Sequence, residues 1–126
     1  MMTLPFAALL FLLQATQSAA PSVAGTWEGS SLCTVPNSPC HDEYVVYHIK
    51  PAPKGPARFL IDAYKVIDGK EEFMGTIECT FTAEKGELYC DTSGDWRFSV
   101  KEDTMTGTLN LKNGTLYRKI SVKKKD

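Results

Sequence analysis

Residues 40–48 read Cys-His-Asp-Glu-Tyr-Val-Val-Tyr-His and hold the one cluster of metal-ligating side-chain types in the 126-residue chain. Zinc takes three or four such ligands at about 2.0–2.3 Å, and Cys40, His41, Asp42, Glu43 and His48 supply the right chemical types. Two features argue against a metal. Cys40 is expected to be oxidised, and the two histidines fall on either side of a loop-to-strand transition. The segment therefore reads as a polar loop in which Asp42 or Glu43 satisfies backbone amides, and no metal or cofactor is expected. Nucleophilic catalysis has as little to work with: there is no Gly-x-Ser-x-Gly elbow, and neither histidine has an evident serine partner. The chain is not expected to be an enzyme.

The four cysteines, Cys33, Cys40, Cys79 and Cys90, have a plainer use as two disulfides in an oxidising compartment. Three connectivities exist in principle. Pairing Cys33 with Cys40 and Cys79 with Cys90 is favoured because each pair brackets a short, turn-rich segment. Each closed loop of that size contributes about 2–3 kcal/mol in the chain-entropy picture.

These groups must be positioned by strands, because period-2 alternation recurs along the chain and no convincing helix follows residue 20. The first strand is expected over residues 23–29, where Trp27 is flanked by Gly25 and Gly29, and residues 30–42 read as a stapled loop. Residues 43–50 form the next strand, broken by Pro51, Pro53 and Pro56. Residues 58–67 follow, and Asp68-Gly69 turns them into residues 72–82. There Phe73, Gly75, Ile77, Cys79 and Phe81 are expected inward, and a turn at residues 83–86 sets Phe81 opposite Leu88 and Cys79 opposite Cys90. Trp96, Phe98 and Val100 share a face on the sixth strand, as do Met105, Gly107, Leu109 and Leu111 on the seventh. Asn113-Gly114 signals a type I′ turn into residues 115–122, where Leu116, Arg118, Ile120 and Val122 face inward. It also explains why Asn113-Gly114-Thr115 matches a glycosylation sequon.

One face stays open. A two-residue turn at Asp68-Gly69 puts Leu60, Asp62, Tyr64 and Val66 inward, whereas a three-residue turn with a bulge puts Phe59, Ile61, Ala63 and Lys65 there.

Eight strands joined in order by short loops predict an all-β, antiparallel up-and-down barrel with two disulfides, since closure removes the edges that an open sheet leaves. Residues 1–20 carry no charged side chain and only a ten-residue apolar run from Leu4 to Leu13, too short to cross a bilayer, so they read as a signal peptide. Residues 21–126 are then a single barrel domain, secreted or periplasmic. A formal net charge of −1 gives no reason to expect nucleic acid. No membrane span and a monomer are expected.

The Gly25-Thr26-Trp27 triplet on the first strand, with Arg118 on the last, resembles the lipocalin and wider calycin superfamily. The resemblance implies an indole at the closed end of the barrel with a basic residue packed across it, so Gly25, Trp27 and Arg118 would be structural. The chain departs from the superfamily: it is shorter than a typical lipocalin, lacks a C-terminal helix and has no Thr-Asp-Tyr stretch. Segments 40–43 and 114–120 also resemble small exported bacterial proteins without an assigned role.

The function expected from this reading is binding of a small apolar ligand among Trp27, Tyr64, Trp96 and Phe98. The alternative is a protein partner: a barrel acting by its outer surface as an inhibitor of hydrolases, with the stapled loop around Pro36 and Pro39 as a rigid probe, or a structural envelope protein with a filled core.

Overall fold

A computed structural model describes residues 22–126, and the expected signal peptide at residues 1–20 lies outside them. Its strands are β1 (Gly25–Cys33), β2 (Glu43–Pro51), β3 (Arg58–Ile67), β4 (Lys70–Thr82), β5 (Glu87–Cys90), β6 (Asp95–Lys101), β7 (Thr104–Asn110) and β8 (Leu116–Lys124). Each pairs antiparallel with the next and β8 returns to β1, so the sheet closes into an eight-stranded barrel. Among the described residues no helix is long and apolar enough to cross a membrane.

Alternation decides what fills the barrel. Every second residue points in, and the buried set follows that parity: Val45, Tyr47 and Ile49 on β2, Leu88 and Cys90 on β5, Phe98 and Val100 on β6, Ile120 and Val122 on β8. Trp27, Phe98, Ile61, Leu88 and Met105 are the largest side chains fully removed from water. Both expected disulfides form, with Cα–Cα separations of 5.8 Å for Cys33–Cys40 and 4.2 Å for Cys79–Cys90. The β4–β5 register sets Cys79 opposite Cys90 and Phe81 opposite Leu88, as the four-residue turn requires.

The open face question is settled by a bulge. Asp68 (φ 51°) and Gly69 (φ 76°) make a two-residue turn with both residues left-handed, pairing Ile67 with Lys70. Tyr64 then pairs with Phe73 but Ala63 pairs with Gly75, so Met74 is an extra residue and the parity inverts there. Phe59, Ile61 and Ala63 face inward, although the turn itself is the two-residue kind. Phe73 is consequently outward and 58% exposed, correcting its expected place in the core.

Two further expectations change. β1 runs on through Ser30 and Ser31 to Cys33 because both flanks supply partners, Tyr44 and Glu43 on β2 and Ser121 to Arg118 on β8. Pairing overrides the loop-like composition. At the β7–β8 connection the Gly114 amide bonds to the Leu111 carbonyl and only Gly114 (φ 88°) is left-handed, so the turn is not type I′. The loop is three residues, Lys112-Asn113-Gly114, with the glycine in the left-handed third place, and the register shift between Leu109 and Asn110 leaves Tyr117 as an extra residue on β8, which takes Leu116 out of the parity it was expected to share with Arg118.

Candidate functional site

The two ends of the barrel are built differently, and the site is at one of them. At the closed end Val23 crosses beneath the strands, and its carbonyl accepts a 2.9 Å hydrogen bond from the Trp27 indole N–H. Trp27 is 0% exposed. A cation does lie across this indole, but it is Lys124, whose Nζ is 5.8 Å from the ring centroid and donates to the Ser22 carbonyl at 3.0 Å. Gly25 makes room for that arrangement: a Cβ there would stand 2.7 Å from the Lys124 side chain and 3.0 Å from the Asp126 carbonyl.

Arg118 is therefore not the residue that packs on Trp27. Register places it opposite Cys33, while Lys124, six positions further along β8, is opposite Trp27, so the two cations cap opposite ends. A basic residue of β8 does cover the indole, as expected, but it comes from the other end of the strand.

At the open end Arg118 points inward and is enclosed. Its Nη2 meets Glu43 Oε1 at 2.8 Å, and Nη1 donates to the Ser31 carbonyl (3.1 Å), the Ser31 hydroxyl (3.3 Å) and the His41 carbonyl (3.0 Å). The partners come from β1, β2 and the β1–β2 loop, so this guanidinium ties the rim together. The loop is fixed again where Asp42 Oδ1 accepts from the Cys33 amide at 2.8 Å, the backbone-satisfying role expected of that carboxylate. His41 and His48 are separated: the His41 carbonyl faces Arg118, whereas the His48 ring lies outside the barrel against Thr26 and Glu71.

Beside this ion pair a cup of about 350 Å³ opens into the barrel. Val45, Tyr47, Ala63, Ile77 and Trp96 form its apolar wall, Met74–Thr76 and Thr92–Ser93 flank its mouth, and Ser31, Glu43 and Arg118 supply its polar side. Tyr47 and Phe98 meet edge to face with centroids 6.3 Å apart, and Trp96 stacks on Phe98 at the same distance, so these rings hold the wall in place. Burial raises the Tyr47 phenol well above its ordinary value, and Glu43 adds to the shift while Arg118 opposes it. Its hydroxyl is thus a neutral group, and it has no hydrogen-bond partner among the described residues.

Of the four residues expected to bind ligand, Trp96 alone lines this cup. Trp27 is sealed at the far end, and Phe98 is packed behind the wall with 1% exposure. Tyr64 is on the outer surface, with its ring against His48 and Phe73, because the bulge at Met74 reverses the face that a plain hairpin would give it. The two inward glycines divide likewise. Gly107 makes room for Phe98, whose ring a Cβ would strike, whereas Gly75 faces open space and lines the cup.

Glu43, Tyr47 and Ser31 were not expected in the site, yet Glu43 and Tyr47 carry a readable signal. Both share parity with Val45 on β2, and Arg118 shares parity with Ile120 on β8; an inward acid and an inward base on the two neighbours of β1 can meet across it. No protein-family model and no curated protein matches this chain.

Proposed function

We propose that this protein is an exported, lipocalin-like binding barrel for a small, mostly apolar ligand held in the open-end cup. The observation that carries the reading is the cup itself: about 350 Å³, within the span of small-molecule sites, walled by aliphatic and aromatic side chains with a few convergent polar groups. Because Glu43 neutralises Arg118 and Tyr47 stays protonated, the ligand is uncharged and presents at most a hydrogen-bonding group to the Tyr47 hydroxyl. Two disulfides suit an oxidising compartment, which supports secretion or a periplasmic address.

Titration with an environment-sensitive naphthalene dye, read by its own emission and by Trp96 quenching, tests this. Ala63→Phe should fill the cup and weaken dye binding at least tenfold while leaving the far-ultraviolet spectrum of the barrel intact. Unchanged binding by that variant would move the site elsewhere, and no binding to the parent protein would leave the cup without a role.

The surface-acting reading is supported by the stiffness of the 33–40 loop, held by its disulfide, by Asp42 and by Arg118. Alanine at Pro36 and Pro39 would reduce partner binding under that reading and leave dye binding unchanged.

A further inference from the structure

The barrel wall is incomplete beside the cup. β4 has thirteen residues, but β5 has four and pairs only with Cys79–Thr82. Beyond Cys90 the chain leaves the sheet through residues 91–94 and rejoins it as β6, so the stretch of β4 from Lys70 to Glu78 has β3 on one side and no strand on the other.

Which backbone groups this strands can be read from the hydrogen bonds. The Phe81 amide bonds to the Ala57 carbonyl on the β3 side, so odd-numbered residues from Gly75 onward direct their backbone toward β3. A 4.2 Å Cα separation marks Cys79 and Cys90 as a non-hydrogen-bonded pair, which agrees. Thr76 and Glu78 therefore turn their N–H and C=O groups into the gap, where they have no backbone partner among the described residues. Their side chains are committed to the outer surface: the Thr76 hydroxyl donates to Asp62 at 2.6 Å, and Glu78 is held by Arg58 at 2.7 Å. What they offer the gap is backbone alone.

We propose that this edge takes up an extended peptide segment of a partner protein as an added strand, with one apolar side chain of the segment seated in the cup. The proposal rests on the cup being a binding site and specifies what enters it. Alternating N–H and C=O groups at strand spacing are complemented by another extended backbone, and this is the established route by which sheet edges recruit peptides. The cup lies beside this edge, lined by Met74–Ile77 from β4 and by Thr92, Ser93 and Trp96 from the opposite side of the gap. That second wall selects the occupant. A lone strand meets only β4 along this edge, whereas β4 of a second copy brings its own β3 toward residues 91–94. The nearby apolar surface of Phe73, Met74 and Ile67, all more than 40% exposed, adds a landing area at the same end.

Amide exchange measured by NMR on the purified protein tests this in two steps. Without peptide, the Thr76 and Glu78 amides should exchange at least a hundredfold faster than the Thr80 amide, which β5 covers; equal protection would mean that the edge is already occupied and overturn the proposal. The probe is then a capped nonapeptide of serine and threonine with one central phenylalanine. It should slow exchange at Thr76 and Glu78 at least tenfold. Of two versions N-methylated on alternate residues in opposite phase, one should lose this protection and the other keep it, since only one set of amides faces β4. Protection by both versions, or by none of the peptides, sinks strand addition. If p-cresol quenches Trp96 while no peptide protects the edge, the cup is a small-molecule site alone; if neither occupies the cup, both readings fall.

Discussion

The barrel has an inward cation from β8 at each end, and the two ends use it in opposite ways. Lys124 lies over an indole that is wholly excluded from water, with Val23 beneath it and the Asp126 carbonyl close by. Arg118 is held by a carboxylate and three oxygen acceptors at the rim of a cavity. The first arrangement adds a cover to a packed core; the second fixes the geometry of an opening. A large apolar ring can be sealed by a long aliphatic stem whose charge stays wet, whereas an opening needs a planar donor that several elements can share.

Removing the indole should therefore produce the largest loss of stability. Trp27→Ala is expected to cost about 3–5 kcal/mol, and Trp96→Ala about 1–2 kcal/mol because that ring already borders open space. Urea denaturation of both variants checks the order, and dye titration should show the reverse ranking, with binding lost only in Trp96→Ala. Similar stability losses would mean that the open end is as tightly packed as the closed one.

Replacing Cys79 and Cys90 together by alanine is expected to cost about 2–4 kcal/mol. This bridge is buried at the last point where β4 and β5 meet, so its loss should also raise amide exchange at Thr80. The same change at Cys33 and Cys40 should leave Thr80 untouched and loosen the rim loop instead.

The cations themselves separate next. Arg118→Met strands the Glu43 carboxylate and removes charge-assisted hydrogen bonds, for about 1.5–3 kcal/mol. Lys124→Met keeps the stem over the indole and gives up a cation–π contact of about 0.5–1 kcal/mol. Chemical denaturation at low salt reads the difference, and equal values would erase the distinction drawn between the two ends.

How much of this was legible depended on whether it was written in local parity or in pairing. The Cys79–Cys90 and Phe81–Leu88 register followed from a four-residue turn plus alternation, and Trp96, Phe98 and Val100 sorted to one face for the same reason. The bulge at Met74 was not legible, because an extra residue leaves composition unchanged while reversing the parity on which every later assignment of Tyr64 and Phe73 depended. The strand character of Ser30 and Ser31 came from β2 and β8 rather than from the serines. Which β8 cation meets Trp27 is a matter of barrel stagger, which fixes Trp27 opposite Lys124 and has no local signature. The site is only partly legible for a narrower reason: an inward aromatic signals packed core as readily as a ligand contact, whereas the parity that Glu43 and Tyr47 share with Val45 on β2 is what brings them to the cup.

The smallest effect at neutral pH distinguishes the ends most cleanly at high pH. Tyr47 loses its proton in the unfolded chain near its ordinary value of 10.0, but burial and Glu43 hold the folded phenol neutral well above that. Above about pH 10 the folded state binds more protons than the unfolded state, so stability falls as pH rises from that point; below it the group contributes no pH dependence. The closed end contains Trp27 and Val23, and among the described residues it has no such buried acid. Denaturation midpoints between pH 8 and 11 should therefore fall above pH 10 in the parent protein, and Tyr47→Phe should flatten that part of the decline. If ligand or peptide occupies the cup against the Tyr47 hydroxyl, its presence should carry the decline to still higher pH, because the bound state then also favours the protonated phenol. An identical alkaline profile with and without Tyr47 would show that its hydroxyl is open to solvent, and the cup would lose the neutral donor assigned to its wall.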